Sequence, residues 1–115
     1  NIEQKNVVYY GNSKGEFLKS RSFGSELDAT YSIDLGDLDL DGDIDIVVGN
    51  AGGINHYFLS NGTNFNQYEF GSIENVTYGV SVGDLNGDNY PDIVTANSGS
   101  QNIIYLNQPA NNLDR

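Results

Sequence analysis

The stretch DLDLDGDIDIVV, residues 37–48, places an aspartate at every second position and then enters an apolar, β-branched segment. Carboxylates this close together repel one another strongly unless something neutralises them. A weaker copy of the stretch, DLNGDNYPDIVT, occupies residues 84–95. The two copies indicate an acidic loop that occurs twice and leads directly into a strand each time.

Comparison of the chain with itself extends this pair into a longer repeat. The segment from Thr30, TYSIDLGDLDLDGDIDIVVGNAG, aligns without gaps with TYGVSVGDLNGDNYPDIVTANSG from Thr77, an offset of 47 residues. The same offset places Phe23-Gly24 on Phe70-Gly71, so a truncated copy occupies the N-terminal part. The 115-residue chain therefore contains about 2.4 repeats.

Each repeat is predicted to fold as four β-strands. Tyr31, Ile33 and Leu35 alternate with polar residues, which is the period of a half-buried strand. The segments IDIVVGN and PDIVTAN are short, β-branched and apolar, as expected for strands covered on both faces. No segment has the apolar period of a helix. The fold class is therefore all-β, with four-stranded antiparallel sheets of the β-propeller blade type.

The repeats divide a single domain into three segments. Residues 1–29 are predicted to supply only outer strands of a partial blade, 30–76 a complete repeat, and 77–115 a partial repeat with inner strands. A propeller closes with about four to eight blades, so one chain is an incomplete propeller. Open strand edges invite pairing. The expected partners are further copies in a homo-oligomer, or neighbouring blades of a longer chain.

The acidic loops carry the oxygen donors of a calcium site. Positions 1, 3, 5 and 9 hold oxygen-bearing side chains in both copies, while position 7 is free to vary and suits a backbone carbonyl ligand. Position 6 has to reverse the chain, and Gly42 and Asn89 accept a left-handed conformation there. The candidate ligands, for about two calcium ions per chain, are Asp37, Asp39, Asp41, Asp43 and Asp45 in the first loop and Asp84, Asn86, Asp88, Tyr90 and Asp92 in the second.

Two other interpretations use the same residues. An EF-hand requires a bidentate glutamate at position 12 and flanking helices, whereas Val48 and Thr95 stand there inside apparent strands. Alternatively, Asp, Asn and Gly simply form turns. Five alternating aspartates, in register with a second loop, favour a bound cation over an ordinary hairpin.

The formal net charge of −11 is unevenly distributed. Apart from Arg115, every cationic residue lies within the first 21 residues: Lys5, Lys14, Lys19 and Arg21. Such an acidic chain repels phosphates, so nucleic acid and anionic lipid are not expected as partners. No run of about 18 apolar residues predicts a membrane span, and the absence of cysteine leaves the redox compartment open.

The segments SVGDLNGDNYPDIVTAN and DLGDLDLDGDIDIVVGN resemble the FG-GAP and VCBS-type repeats of integrin-α-like, calcium-binding β-propellers. The resemblance extends from Thr30 to about Gln108 and more weakly over the first 29 residues. It implies a calcium loop between the first and second strands of each blade, with Asp43 and Tyr90 as carbonyl donors and the other candidates as side-chain ligands. Asn89 departs from the family's glycine, and the glycine-alanine-proline signature is reduced to GNA and TAN.

The loops and the resemblance together predict an extracellular or cell-surface, calcium-binding module for adhesion, surface assembly, or glycan or protein binding, with calcium as a structural staple. A structural subunit of an extracellular filament or coat is an alternative, and a non-catalytic fragment of a polysaccharide-active enzyme is another. The chain is not expected to be an enzyme, because its only histidine, His56, lies in an outer strand as a surface or packing residue.

Two further sets of residues are candidates for surface functions. The tyrosines that are considered for glycan contact are Tyr9, Tyr10, Tyr57, Tyr68 and Tyr105. Two N-glycosylation acceptor triplets start at Asn61 and Asn75. Both triplets also arise readily by chance in an asparagine-rich chain.

Overall fold

The alternating and β-branched segments form nine strands in the computed structural model, which describes residues 5–24, 29–62 and 64–107. No helix occurs in these ranges, so the prediction of an all-β fold is confirmed. None of the described residues therefore belongs to a helix that could cross a membrane. The strands are β1 (Asn6–Tyr10), β2 (Lys19–Phe23), β3 (Thr30–Gly36), β4 (Asp45–Asn50), β5 (Asn55–Ser60), β6 (Phe65–Phe70), β7 (Val76–Gly83), β8 (Asp92–Ser98) and β9 (Ile103–Tyr105).

Three antiparallel sheets contain these strands, each in sequence order: β1-β2, β3-β4-β5-β6 and β7-β8-β9. The second sheet is the expected four-stranded blade. The registers repeat between sheets, since Gly36 faces Asp45 just as Gly83 faces Asp92, and each first strand carries an irregularity near its start. The described residues do not close a propeller. Those parts of the three-segment division that fall on residues 1–4, 25–28, 63 and 108–115 lie outside the described residues.

The core consists of two apolar clusters, one on each face of the second sheet. Phe23 of the first sheet packs edge-on against Phe58, with 5.1 Å between ring centroids, beside Ile46 and Val48. On the other face Val47 packs with Leu38 and with Ile93 of the third sheet. Strand β4 is buried along its whole length because both of its faces are covered.

Strand β3 alternates as predicted, but its apolar side faces outward. Tyr31, Ile33 and Leu35 are each about half exposed, at 48%, 45% and 56%. Its polar side chains face β7 instead, where Ser32 Oγ accepts the backbone N–H of Val80 at 3.1 Å. The reason is that the first sheet, as far as its residues are described, holds two strands, which cover the β4–β6 part of this face and leave β3 bare.

Candidate metal centre

Both acidic loops connect the first strand of a sheet to the second: one joins β3 to β4 and the other joins β7 to β8. Each loop follows a glycine at the end of the first strand and finishes at a fully buried aspartate, Asp45 or Asp92, that opens the second strand. Since the two strands are paired at that glycine and aspartate, the sheet fixes both ends of each loop.

The buried aspartates anchor the loops to the sheets. Asp45 accepts the backbone N–H of Ser60 at Oδ1 and that of Leu38 at Oδ2, both at 2.8 Å. Asp92 accepts those of Asn107 and Leu85 at the same distances. Burial raises the pKa of Asp45, and these two hydrogen bonds oppose that rise by stabilising the carboxylate.

The first aspartate of each loop folds the loop around itself. Asp37 accepts the backbone N–H of Asp41 at 3.1 Å and that of Gly42 at 2.9 Å. Asp84 accepts three such bonds, the shortest from Asn89 at 2.8 Å. The bond from Asn89 is the main reason why the pKa of Asp84 is lowered. The loops are therefore arranged by their own carboxylates.

The carboxylates of each loop converge. One oxygen from each of Asp37, Asp39, Asp41 and Asp45 lies within 4.8 Å of the others, and Asp84, Asp88 and Asp92 form the matching set in the second loop. Asn86 stands at the place that Asp39 has in the first loop. The side chain of Asp43 is outside the converging set. Its backbone carbonyl therefore stays a predicted calcium ligand, as does the backbone carbonyl of Tyr90.

Asp39 is the electrostatically strained member of the first loop. Its Oδ1 atom is buried and has no hydrogen-bond partner. Burial, the charge of Asp45 and the interaction with Asp41 together raise the pKa of Asp39 to about 6. Hydrogen bonding, chiefly from the backbone N–H of Asp43, lowers the pKa of Asp41. An unpartnered carboxylate oxygen among three other carboxylates is the environment that a hard cation compensates, so the residues fit calcium.

Two positions of each acidic loop have a left-handed backbone, and the sequence predicted only one of them. Gly42 and Asn89, at position 6, are left-handed with φ of 93° and 72°, as the turn requires. Position 4 is left-handed as well, at Leu40 (φ 58°) and Gly87 (φ 78°). Glycine at position 4 of the second loop indicates a left-handed residue there, but the leucine at the same position of the first loop does not.

The tyrosines considered for glycan contact lie in different parts of the fold. Tyr57, Tyr68 and Tyr105 line a cavity of about 790 Å³ between the second and third sheets, which Asp39 also borders. Tyr9 and Tyr10 lie on β1 and do not line it. His56 is buried, with its ring 6.0 Å from that of Phe58, which agrees with a packing role.

The acceptor asparagines of both glycosylation triplets lie in loops, whereas Val76 and Thr77 of the second triplet open β7. Asn61 accepts the backbone N–H of Asn64 at 2.8 Å, as a turn residue does, whereas Thr63 lies outside the described residues. Asn75 accepts the hydroxyl of Ser100 at 3.2 Å.

Comparison with known families gives one result. The family model described as the FG-GAP-like repeat matches residues 1–48 and, a second time, residues 37–95. The second match spans both acidic loops. No curated protein and no solved structure matches the chain.

Proposed function

The chain belongs to the FG-GAP-like repeat family, and from that premise we propose that it is a non-enzymatic, extracellular binding module whose two acidic loops each hold one calcium ion. The carrying observation is the buried, unpartnered Oδ1 of Asp39 within a cluster of four carboxylates. A hairpin turn needs no such atom, because turns satisfy their polar groups locally.

In the first loop, two of the proposed carboxylate ligands are held in position by backbone hydrogen bonds, and the other two add further negative charge. Asp37 and Asp45 already accept backbone N–H groups, so their remaining lone pairs point from fixed positions. Asp39 adds a carboxylate with a free buried oxygen, and Asp41 adds one that the N–H of Asp43 orients at 2.9 Å. When bound, calcium supplies the positive charge that removes the repulsion among them.

Such a site acts as a structural staple. Through Asp45 the first loop is tied to the start of β4 and to Ser60 at the end of β5, so ordering the loop also holds these strands together. An ion that binds the folded loop and not the unfolded chain stabilises the fold, by about 2.7 kcal/mol at a concentration 100-fold above its Kd. Extracellular calcium is abundant enough to fill exposed sites of modest affinity.

We assign the module to adhesion, surface assembly, or the binding of a glycan or a protein. The cavity between the second and third sheets supports a glycan-binding role, because three tyrosines line it and aromatic rings with polar tips suit sugar faces. The alternative, a repeating subunit of an extracellular filament or coat, shares the loops and depends on the assembly state.

The calcium sites are tested by titrating the chain with calcium, with isothermal calorimetry to measure affinity and native mass spectrometry to count the bound ions. We expect two ions on the parent chain, one on Asp41→Ala and one on Asp88→Ala, which remove equivalent ligands of the two loops. Asp43→Ala is the matched control, since it removes the same charge from a side chain outside the converging set; its affinity should change by less than about tenfold. Two ions of unchanged affinity on Asp41→Ala would reject the first site, and none on the parent would reject both.

A further inference from the structure

The packing of the third sheet on the second shows how sheets of this chain fit together. Val82 of β7 lies over Gly36, where a Cβ atom would be 3.7 Å from the Cβ of Val82 and 2.8 Å from its nearest methyl. Val80 lies over Gly49 in the same way, at 2.9 Å. In addition, the N–H of Val82 donates to Asp34 at 2.7 Å. The interface is therefore built from valines that fit against glycines.

Both halves of the contact of Val82 with Gly36 occur again, uncovered, on opposite sides of the chain, whereas the repeat offset converts Gly49 into Ala96. A shift of 47 residues converts Gly36 into Gly83, where an added Cβ would meet nothing within 4 Å. The reverse shift converts Val82 into Leu35 and Val80 into Ile33, the bare residues of β3. The outward face of the third sheet thus matches the bare face of β3 in another copy.

The outer strands repeat the pattern. The β1-β2 ribbon corresponds to β5-β6, because Asn6 pairs with Phe23 as Asn55 pairs with Phe70. Leu18 corresponds to Phe65, which packs on the core, yet Leu18 is 78% exposed; Tyr9 is 63% exposed. The exposed face of the β1-β2 ribbon therefore corresponds to the face of β5-β6 that packs on the core.

Strands β1 and β9 both correspond to β5, so only one of them fits into a given sheet. Strand β9 has three residues and β1 has five, with five paired positions in its ribbon. Displacing β9 removes three paired positions with β8 and the bonds from Asn107 to Asp92 and Leu38. The longer β1 and the residue after it would replace the paired positions and the bond to Asp92, and Tyr9 would then replace Tyr105 against Phe70.

Charge favours the same arrangement. The ribbon segment, residues 5–24, carries Lys5, Lys14, Lys19 and Arg21 against one acidic residue, Glu16. Residues 76–107, which contain the third sheet, carry Asp84, Asp88 and Asp92 and no cationic residue. In the metal-free chain, opposite charges on the two ends steer a head-to-tail encounter over a head-to-head one.

We propose that copies of this chain associate head to tail, with the β1-β2 ribbon of one copy replacing β9 beside β8 of the next and Leu35 seated on Gly83. Each junction then forms a four-stranded sheet, β7-β8 from one copy and β1-β2 from the other, in the order of β3 to β6. Every copy adds two complete sheets, and the contact is heterologous, so it produces a closed ring or a filament.

Disulfide trapping tests the geometry, because the chain has no cysteine. The internal distance of 3.7 Å between Cβ positions at Gly36 and Val82 suits a disulfide. Gly36→Cys/Val82→Cys in one chain is therefore the positive control. We expect Leu35→Cys mixed with Gly83→Cys to form a cross-linked dimer under mild oxidation. Leu35→Cys mixed with Ile73→Cys, an exposed loop residue, should form none.

Sedimentation velocity of the full chain supplies the second readout. We expect concentration-dependent association in low salt that Ile33→Asp weakens about tenfold or more, because it buries a charge. Ile73→Asp adds the same charge outside the interface and should leave association within about twofold. Circular dichroism checks that both variants fold.

The proposal fails if the chain stays monomeric up to about 1 mM. It also fails if the Leu35/Gly83 mixture gives no dimer while the internal control cross-links, or if Ile33→Asp and Ile73→Asp behave alike. None of these substitutions replaces a proposed calcium ligand, and Ile33→Asp and Ile73→Asp lie away from the ends of both loops, so calcium binding by these two variants reports separately on the proposed function.

Discussion

Asn55 of the second sheet donates its side-chain N–H to the hydroxyl of Thr77 in the third sheet, at 2.9 Å. The hydroxyl in turn donates to Asn97 Oδ1 at 2.7 Å. The same relay runs from Asn6 through Thr30 to Asn50, at 3.0 and 2.8 Å. Successive sheets are therefore joined by a repeated polar relay as well as by apolar packing.

Removing the hydroxyl of Thr77 should separate these sheets. Thr77→Val keeps the shape but leaves the N–H of Asn55 and the oxygen of Asn97 unpaired, which costs about 1–3 kcal/mol for each buried group. We expect thermal unfolding to report a loss of about 2–4 kcal/mol. Thr77→Ser retains the hydroxyl and should cost clearly less. Equal losses for the two variants would show that the relay contributes nothing.

Asp39→Asn should change stability in opposite directions with and without calcium. In metal-free buffer at pH 7 the amide removes a disfavoured buried charge, so the variant should melt above the parent. In saturating calcium it lacks a ligand and should melt below the parent. Differential scanning calorimetry under both conditions measures this, and a variant that is less stable in both would contradict the assignment.

The metal-free parent should gain stability on acidification. The pKa of Asp39 is about 6 in the folded chain and about 3.9 when unfolded, so the folded state binds more protons between these values. Stability therefore rises as pH falls from about 7 to about 4, with Asp45 acting in the same direction. Asp41 and Asp84, whose pKa values are lowered, oppose this only below about pH 4. Urea unfolding across this range should show a smaller gain for Asp39→Asn; an equal gain would assign the protons elsewhere.

Glycine usually destabilises a folded chain, but at position 4 of the loops it should stabilise the fold. Leu40 is left-handed and half exposed, so Leu40→Gly relieves about 1–2 kcal/mol of strain against about 0.5–1 kcal/mol of added chain entropy. We expect a net gain of up to about 1 kcal/mol. Gly87→Ala, the matched change in the second loop, should lose up to about 1 kcal/mol, because the same two contributions act with opposite sign. Denaturant midpoints measure both, and a loss for Leu40→Gly would contradict the strain.

Gly36 and Gly83 should respond differently to alanine. Gly36→Ala brings a methyl group to 2.8 Å from Val82, and overpacking of this kind costs about 1–3 kcal/mol. Gly83→Ala meets nothing within 4 Å and should leave the stability of the monomer nearly unchanged. The same variant should weaken head-to-tail association. Thermal melts and sedimentation separate the two effects, and equal destabilisation by both variants would contradict the matched-face geometry.

The repeat, the strands and the positions of the acidic loops follow from the amino-acid sequence alone. Strand alternation, β-branched runs and the spacing of carboxylates are local properties of the chain, so the offset from Thr30 to Thr77 was sufficient to locate both loops. The same spacing identified Asp37, Asp39, Asp41 and Asp45, whose carboxylates converge in the structure. His56 was expected to be a surface or packing residue, and the structure buries its side chain beside Phe58.

The packing of the sheets, in contrast, sets which strand faces are covered and which polar atoms lack partners. The alternation of β3 did not reveal that Ile33 and Leu35 lie bare, while the matching Val80 and Val82 pack against the second sheet. Nor did it reveal the unpartnered oxygen of Asp39 or the left-handed Leu40. The physical reason is that burial and hydrogen-bond satisfaction depend on which sheet lies next to a residue, and two copies of one pattern acquire different neighbours.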